Sequence, residues 1–177
     1  MFFKTIGYDA PSALIPVHAD QAVVAYAGTV TRQVDYKTPL DLRWRQGAAA
    51  PVSWCEVALL TGRPGPGNAP LTVVGAVDLS ADVTTYAPGV TGAAQLVTGA
   101  DLLPGDDLWL AVAVGPLLAG TAPLMLQGTT WADPLIAAFG LVEIPGWRPS
   151  QNLGASVVFN TYAAALPVGP VALALAV

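Results

Sequence analysis

In the stretch Leu40–Arg45 (LDLRWR), apolar Leu40, Leu42 and Trp44 alternate with charged Asp41, Arg43 and Arg45. A period of two places one set on each face of a β-strand, one face buried and the other wet. In WCEVALL the set Cys55, Val57, Leu59 alternates in the same way with Trp54, Glu56, Ala58. Similar short runs rich in Val, Leu, Thr, Tyr and Trp recur along the chain. They predict strands near Phe2–Tyr8, Ala22–Thr31, Leu40–Arg45, Ser53–Thr61, Leu71–Leu79, Ala94–Val97, Asp107–Val114, Leu124–Gln127, Leu135–Val142, Ser156–Phe159 and Val171–Ala176. No segment carries a long period of 3.6 with caps. The tail VALALAV has residues of good helix propensity, but Pro170 precedes it and large side chains alternate with small ones, which favours a strand.

Eighteen glycines and sixteen prolines punctuate these runs. Thr61–Pro70 (TGRPGPGNAP) is a turn-rich connection, and Pro104-Gly105 suits the centre of a type II turn. This many short strands are most simply buried as two packed antiparallel sheets. The predicted fold is an all-β sandwich of jelly-roll or Greek-key type with extended arms. Residues 1–35 form an N-terminal arm whose strands join the sandwich or touch other subunits. Residues 36–145 form the sandwich, and 146–177 form an apolar C-terminal arm.

Composition sharpens this picture. The chain of 177 residues is 54% hydrophobic and only 11% charged, against about 25% charged in an average soluble domain. So few charges suggest burial against a membrane or against other subunits. A spanning helix is not expected. Leu108–Trp131 is interrupted by Pro116 and Pro123, and Pro149–Val177 by Pro167 and Pro170. The start, MFFKTIGYDAP, lacks the apolar core of a secretory signal. A net charge of −5 argues against nucleic acid, and the basic pair Arg43 and Arg45 reads as a solvated or interface face. Cys55 is the single cysteine, so it forms no internal disulfide and reads as a small buried strand residue.

The candidate chemistry is sparse. Asp106 and Asp107 are neighbours, so on a strand they point to opposite faces and do not make a facing catalytic pair. Glu56 or Glu143 would have to supply a second carboxylate at glycosidase spacing, and nothing places them there. The two aspartates read as the wet entrance to an apolar strand after a Pro-Gly turn. Asp78, Ser80 and Asp82 stand at alternate positions, as calcium ligands in a loop do, which makes Asp78 and Asp82 weak calcium candidates beside the reading as a polar strand face or turn. His18 is the sole histidine, and no Gly-x-Ser-x-Gly elbow accompanies it. Among the tryptophans, Trp44 and Trp109 fall in alternating strands and read as core. Trp131 and Trp147 fall in loops, where they read as subunit contacts or as platforms for a sugar ring. No cofactor and no catalysis are expected.

The order of segments PLDLRWRQ, SWCEVALLTGRPGPGN, LTVVGAVDLSADVTTY and ADLLPGDDLWLAVAVG resembles the β-sandwich modules of tailed-bacteriophage virion proteins, such as head fibres, decoration proteins and tail-fibre tips. The matching residues are Gly62, Pro64, Gly65, Val77–Ser80, Leu103, Gly105 and Leu108–Ala111, and the likeness covers roughly Pro39–Val114. The resemblance implies a structural virion component assembled in the host cytoplasm. It also implies a homo-oligomer, a trimer by the habit of projecting virion sandwiches, and contacts with capsid or tail proteins. A carbohydrate- or receptor-binding module that meets a surface glycan is the alternative. The uncharged tail Tyr162–Val177 is expected to dock on a neighbouring subunit, with Tyr162, Leu173 and Leu175 as interface residues beside Trp131 and Trp147.

Overall fold

A computed structural model describes residues 1–5, 8–19, 21–62, 70–116, 123–129, 141–143, 147–158 and 171–177. Among the described residues the protein is all-β with one short α-helix. Its strands are β1 (Phe2–Lys4), β2 (Ala13–Val17), β3 (Gln21–Thr29), β4 (Pro39–Arg45), β5 (Cys55–Thr61), β6 (Pro70–Asp78), β7 (Thr91–Val97), β8 (Asp107–Val114), β9 (Leu124–Gly128), β10 (Leu141–Glu143), β11 (Ser156–Val158) and β12 (Leu173–Ala176). The helix α1 is Ser80–Thr85.

Three sheets form among the described residues. One has the order β1-β12-β4-β7, the second β10-β3-β8-β5-β6-β11, and β2 pairs with β9 in a third. The named strand pairs are antiparallel. The chain changes sheets between β3 and β4, β4 and β5, β6 and β7, and β7 and β8. The first two sheets therefore lie on one core. Leu40, Leu42 and Trp44 of β4, Leu96 of β7 and Leu173 and Leu175 of β12 face it from one side. Val57 and Leu59 of β5 and Leu108, Leu110 and Val112 of β8 face it from the other, and all are buried. The alternation in LDLRWR thus has the effect that its pattern predicts.

Trp44 anchors this core. It stacks on Tyr86 at 5.7 Å, and its indole N–H donates to Gln46 at 3.2 Å. Its ring lies against the β7 backbone so closely that a Cβ on Gly92 would stand 2.1 Å from it. Gly92→Ala is therefore expected to lower stability by about 1–3 kcal/mol, as overpacking does. Chemical denaturation measures this, and an unchanged midpoint would mean that the ring yields freely.

Several elements differ from the sequence expectation. The first strand ends at Lys4, short of Tyr8. The strand β2 is unexpected; Pro16 disguises it, yet Ile15 and Val17 are buried and proline is tolerated where a strand has a free edge. The stretch after Asp78 coils into α1, where a polar strand face or turn is expected. The strand expected at Leu135–Val142 falls partly outside the described residues, and its described part is β10.

The C-terminal arm needs the largest correction. Residues 173–176 form a strand of the sandwich itself, hydrogen-bonded to β1 on one side and β4 on the other. Leu173 and Leu175 are buried in their own chain's core, so they are not interface residues. The N-terminal strands β1 and β3 likewise belong to the two main sheets.

Candidate functional site

Strand β5 lies inside the six-stranded sheet and is buried on both faces. One face meets the main core. The other belongs to a second apolar cluster that holds Ala22, Val24, Ala58, Leu60, Leu71, Val73, Trp109, Ala111, Trp147 and Val157. Glu56 lies on this second face and is 1% exposed. A buried carboxylate is costly unless it is paired and hydrogen-bonded.

Its partners come from the segment after Trp147. Arg148 Nε donates to Glu56 Oε1. The Ser150 backbone N–H donates to Oε2 at 2.8 Å, and the Ser150 hydroxyl donates to Oε1 at 2.8 Å. Pro149 opens a 3₁₀ turn, Pro149–Asn152, which aims the Ser150 N–H at the carboxylate. Arg148 Nη2 also faces Asp78 Oδ2 at 3.5 Å, and its guanidinium lies 5.5 Å from the centre of the Trp54 ring. The hydrogen bond to Glu56 raises the already high pKa of Arg148, and the charges of Glu56 and Asp78 add to that. The cluster clamps the 3₁₀ turn onto the outer face of β5.

Asp78 has a local task as well. Its Oδ1 accepts from the Ser80 N–H at 2.8 Å and from the Ser80 hydroxyl. The same hydroxyl accepts from the Cys55 N–H at 2.9 Å, which ties the start of α1 to the start of β5. The calcium expectation meets this geometry badly. Side chains at alternate positions share a side only in extended backbone, and α1 turns Asp82 away from that row. Among the described residues, no group of three His, Cys, Asp or Glu side chains is arranged to hold a metal ion. Cys55 is fully buried, and burial, then the charges of Asp78 and Glu56, push its thiol pKa far up. It is an inert core residue, as a low-pKa thiolate would be needed for reactivity.

The remaining expected sites are dispersed. Trp147 is 8% exposed and packs in the second cluster. Its burial rules out the loop platform expected for it. Trp131 and Tyr162 lie outside the described residues. His18 is exposed, at the end of β2. Arg43 is exposed, and Arg45 lies over the Tyr8 ring at 5.2 Å.

Asp106 and Asp107 serve the turn and strand entrance. Asp106 Oδ2 accepts from the Leu103 N–H at 2.7 Å and closes the Pro-Gly turn. Asp107 Oδ1 accepts from the Thr29 hydroxyl at 2.7 Å across the β3–β8 ladder. Asp106→Asn keeps an oxygen acceptor at the turn, so it is expected to change stability by less than about 1 kcal/mol. A larger loss in thermal unfolding would show that the charge itself holds the turn.

The Glu56 cluster was missed in the sequence, because Arg148 lies 92 residues from Glu56. One signal was present. A lone glutamate inside WCEVALL, in a strand that could be buried on both faces, needs a cation from elsewhere. No protein-family model matches the chain, and no curated protein matches it. Among the described residues, no helix is long and apolar enough to cross a membrane.

Proposed function

We propose that this protein is a structural, non-catalytic component of a tailed phage or phage-like particle, a capsid-decorating, head-fibre or tail-associated subunit. The observation that carries this reading is where the resembling segments fall. PLDLRWRQ, SWCEVALLTGRPGPGN, LTVVGAVDLSADVTTY and ADLLPGDDLWLAVAVG supply β4, β5, β6 and β8. Three of these, β8-β5-β6, are neighbours inside the six-stranded sheet, and β4 lies opposite across the core. The likeness therefore runs through the frame of the sandwich and not through one loop. The low charge fraction supports the same reading, since subunit packing covers uncharged surface. Function then rests on burial between copies and neighbours, with stability gained on assembly.

The test is direct. Particles purified from a producing culture and washed in high salt should retain the chain in fixed ratio to another particle protein, measured by quantitative mass spectrometry. Recovery of the chain only in the particle-free fraction would overturn the reading.

One observation favours glycan or receptor binding as a second reading. Tyr36 is 54% exposed on a firmly held turn. Its N–H donates to Asp101 Oδ1 at 2.6 Å, the Lys37 N–H donates to the Thr98 carbonyl at 3.1 Å, and Lys37 holds a left-handed φ of 61°. Lys37 Nζ lies over the ring at 5.1 Å from its centre, and the opposite face suits stacking against a sugar. A glycan array probed with the protein and with Tyr36→Ala separates the readings; binding that depends on Tyr36 supports the second.

A further inference from the structure

The outer face of the four-stranded sheet carries a polar depression. Asp41 and Arg43 of β4 and Ala93 and Gln95 of β7 are exposed, whereas Leu40, Leu42, Gly92 and Leu96 are buried. Alternation turns the first set outward. The register sets Asp41 beside Gln95 and Arg43 beside Ala93. On the other flank of β4, Asp41 neighbours Ala176 and Arg43 neighbours Ala174. Asp41, Arg43, Ala93, Ala94 and Gln95 line a shallow depression of about 250 Å³.

The groups around it have hydrogen-bonding capacity to spare. Arg43 stands between two alanines, and its side chain makes no ion pair or hydrogen bond among the described residues. A guanidinium offers a planar fork of N–H donors that matches a carboxylate. Asp41 accepts one long hydrogen bond, from Gln95 Nε2 at 3.5 Å, so most of its acceptor capacity is open. Arg45 is the next outward residue of β4. It lies over the Tyr8 ring at 5.2 Å and adds positive charge on the Arg43 side. The depression is thus cationic at one end and rich in acceptors at the other.

We propose that this depression binds a carboxylated sugar, a uronic acid unit of an acidic glycan. The sugar carboxylate takes the Arg43 fork. Hydroxyls on the far side of the ring donate to Asp41 and bond to the Gln95 amide. Ala93 and Ala94 meet the C–H edge of the ring. Successive outward residues of a strand stand about 6.6–6.8 Å apart, a span that one pyranose ring bridges. The volume falls below the roughly 300–1,000 Å³ of pockets that enclose drug-sized ligands, which suits a single sugar unit held from one side. Simpler ligands satisfy only half of the depression. A neutral sugar brings no anion for Arg43, and a small anion brings no hydroxyl for Asp41 and is repelled by it. The proposal rests on the second reading above, glycan binding; it names the class of sugar and places it on the sheet face instead of on the Tyr36 turn.

An NMR titration of the isotope-labelled full chain with sodium glucuronate tests this. Backbone amides of residues 41–43 and 93–95 should shift and saturate with a Kd on the order of 1 mM, the strength that a ligand of this size reaches. Acetate and glucose should each bind at least about tenfold more weakly, since each engages one end alone. Arg43→Gln should weaken glucuronate at least about tenfold. Asp41→Ala should narrow the preference for glucuronate over acetate, because it removes the hydroxyl acceptor and the repulsion of the small anion together. Both side chains are exposed, so the circular dichroism of the variants should match the wild type. Arg32→Gln removes the same charge from an exposed loop position and should leave binding unchanged. No saturable shift at tens of millimolar glucuronate would overturn the site. So would equal binding of acetate, or a loss in Arg32→Gln equal to that in Arg43→Gln. Binding lost in Tyr36→Ala yet kept in Arg43→Gln would also overturn it, and would leave glycan binding at the turn standing.

Discussion

Deletion of residues 171–177 is expected to abolish cooperative folding. Strand β12 is hydrogen-bonded to β1 through Phe2↔Ala176, Phe3↔Leu175 and Lys4↔Ala174, and to β4 through four further pairs. Its loss leaves β1 without a neighbour in its sheet and exposes the flank of β4. Val171, Ala172, Leu173, Ala174 and Leu175 are all buried. The buried Thr5 hydroxyl adds a local tie, since it donates to the Val171 carbonyl at 2.6 Å and accepts from the Leu173 N–H at 2.9 Å. Removing one buried leucine side chain costs about 2–5 kcal/mol. A whole domain is stable by only about 5–15 kcal/mol. Loss of Leu173, Leu175 and a central ladder together therefore exceeds what the fold has to spare. The deletion variant should lack a near-ultraviolet circular dichroism signal and a sigmoidal denaturation curve. Leu175→Ala should fold but lose about 2–5 kcal/mol in urea. A truncated chain that still unfolds cooperatively would show that the sandwich closes without β12.

The tail also shows what a sequence can and cannot reveal. Alternation and Pro170 mark a strand at its end, and a strand is there. Whether that strand closes its own sheet or docks on a neighbour depends on where the chain returns in space. An uncharged apolar segment looks alike in both cases. The same limit applies at Trp147. In the sequence Pro145, Gly146 and Pro149 mark a loop around it, but the indole itself packs in the apolar cluster on the outer face of the six-stranded sheet. The central strands were legible because their pattern is local. The alternation of β4 needs one wet face, and the unbroken apolar run of β8 needs none. Pro16 hid β2, and the alternate oxygens of Asp78, Ser80 and Asp82 hid α1. In both places a local signal pointed one way, and contacts with distant strands decided the outcome. Glu56 was visible as an anomaly in an apolar run, but its partners across 92 residues were not.

Arg148→Ala is expected to destabilise the outer face. It removes the cation that faces both Glu56 and Asp78 and lies over Trp54. Glu56 would keep the two Ser150 donors but remain a buried charge without a counterion. Breaking such a pair from one side is destabilising, and the partial exposure of Arg148 lessens that loss through solvent screening. The reverse change is milder. The Arg148 side chain is 33% exposed against 1% for Glu56, so without Glu56 the guanidinium can regain water. Glu56→Gln also keeps an oxygen acceptor for the Ser150 N–H. It should therefore cost clearly less than Arg148→Ala. For a chain of this length each kcal/mol lowers Tm by roughly 2–4 °C, so the difference is measurable by calorimetry. The two residues are in direct contact, and the double variant should lose less than the two single losses added together. Additive losses, or an unchanged Tm in Arg148→Ala, would mean that the 3₁₀ turn is held by apolar packing of Trp147 and that Ser150 alone suffices for Glu56.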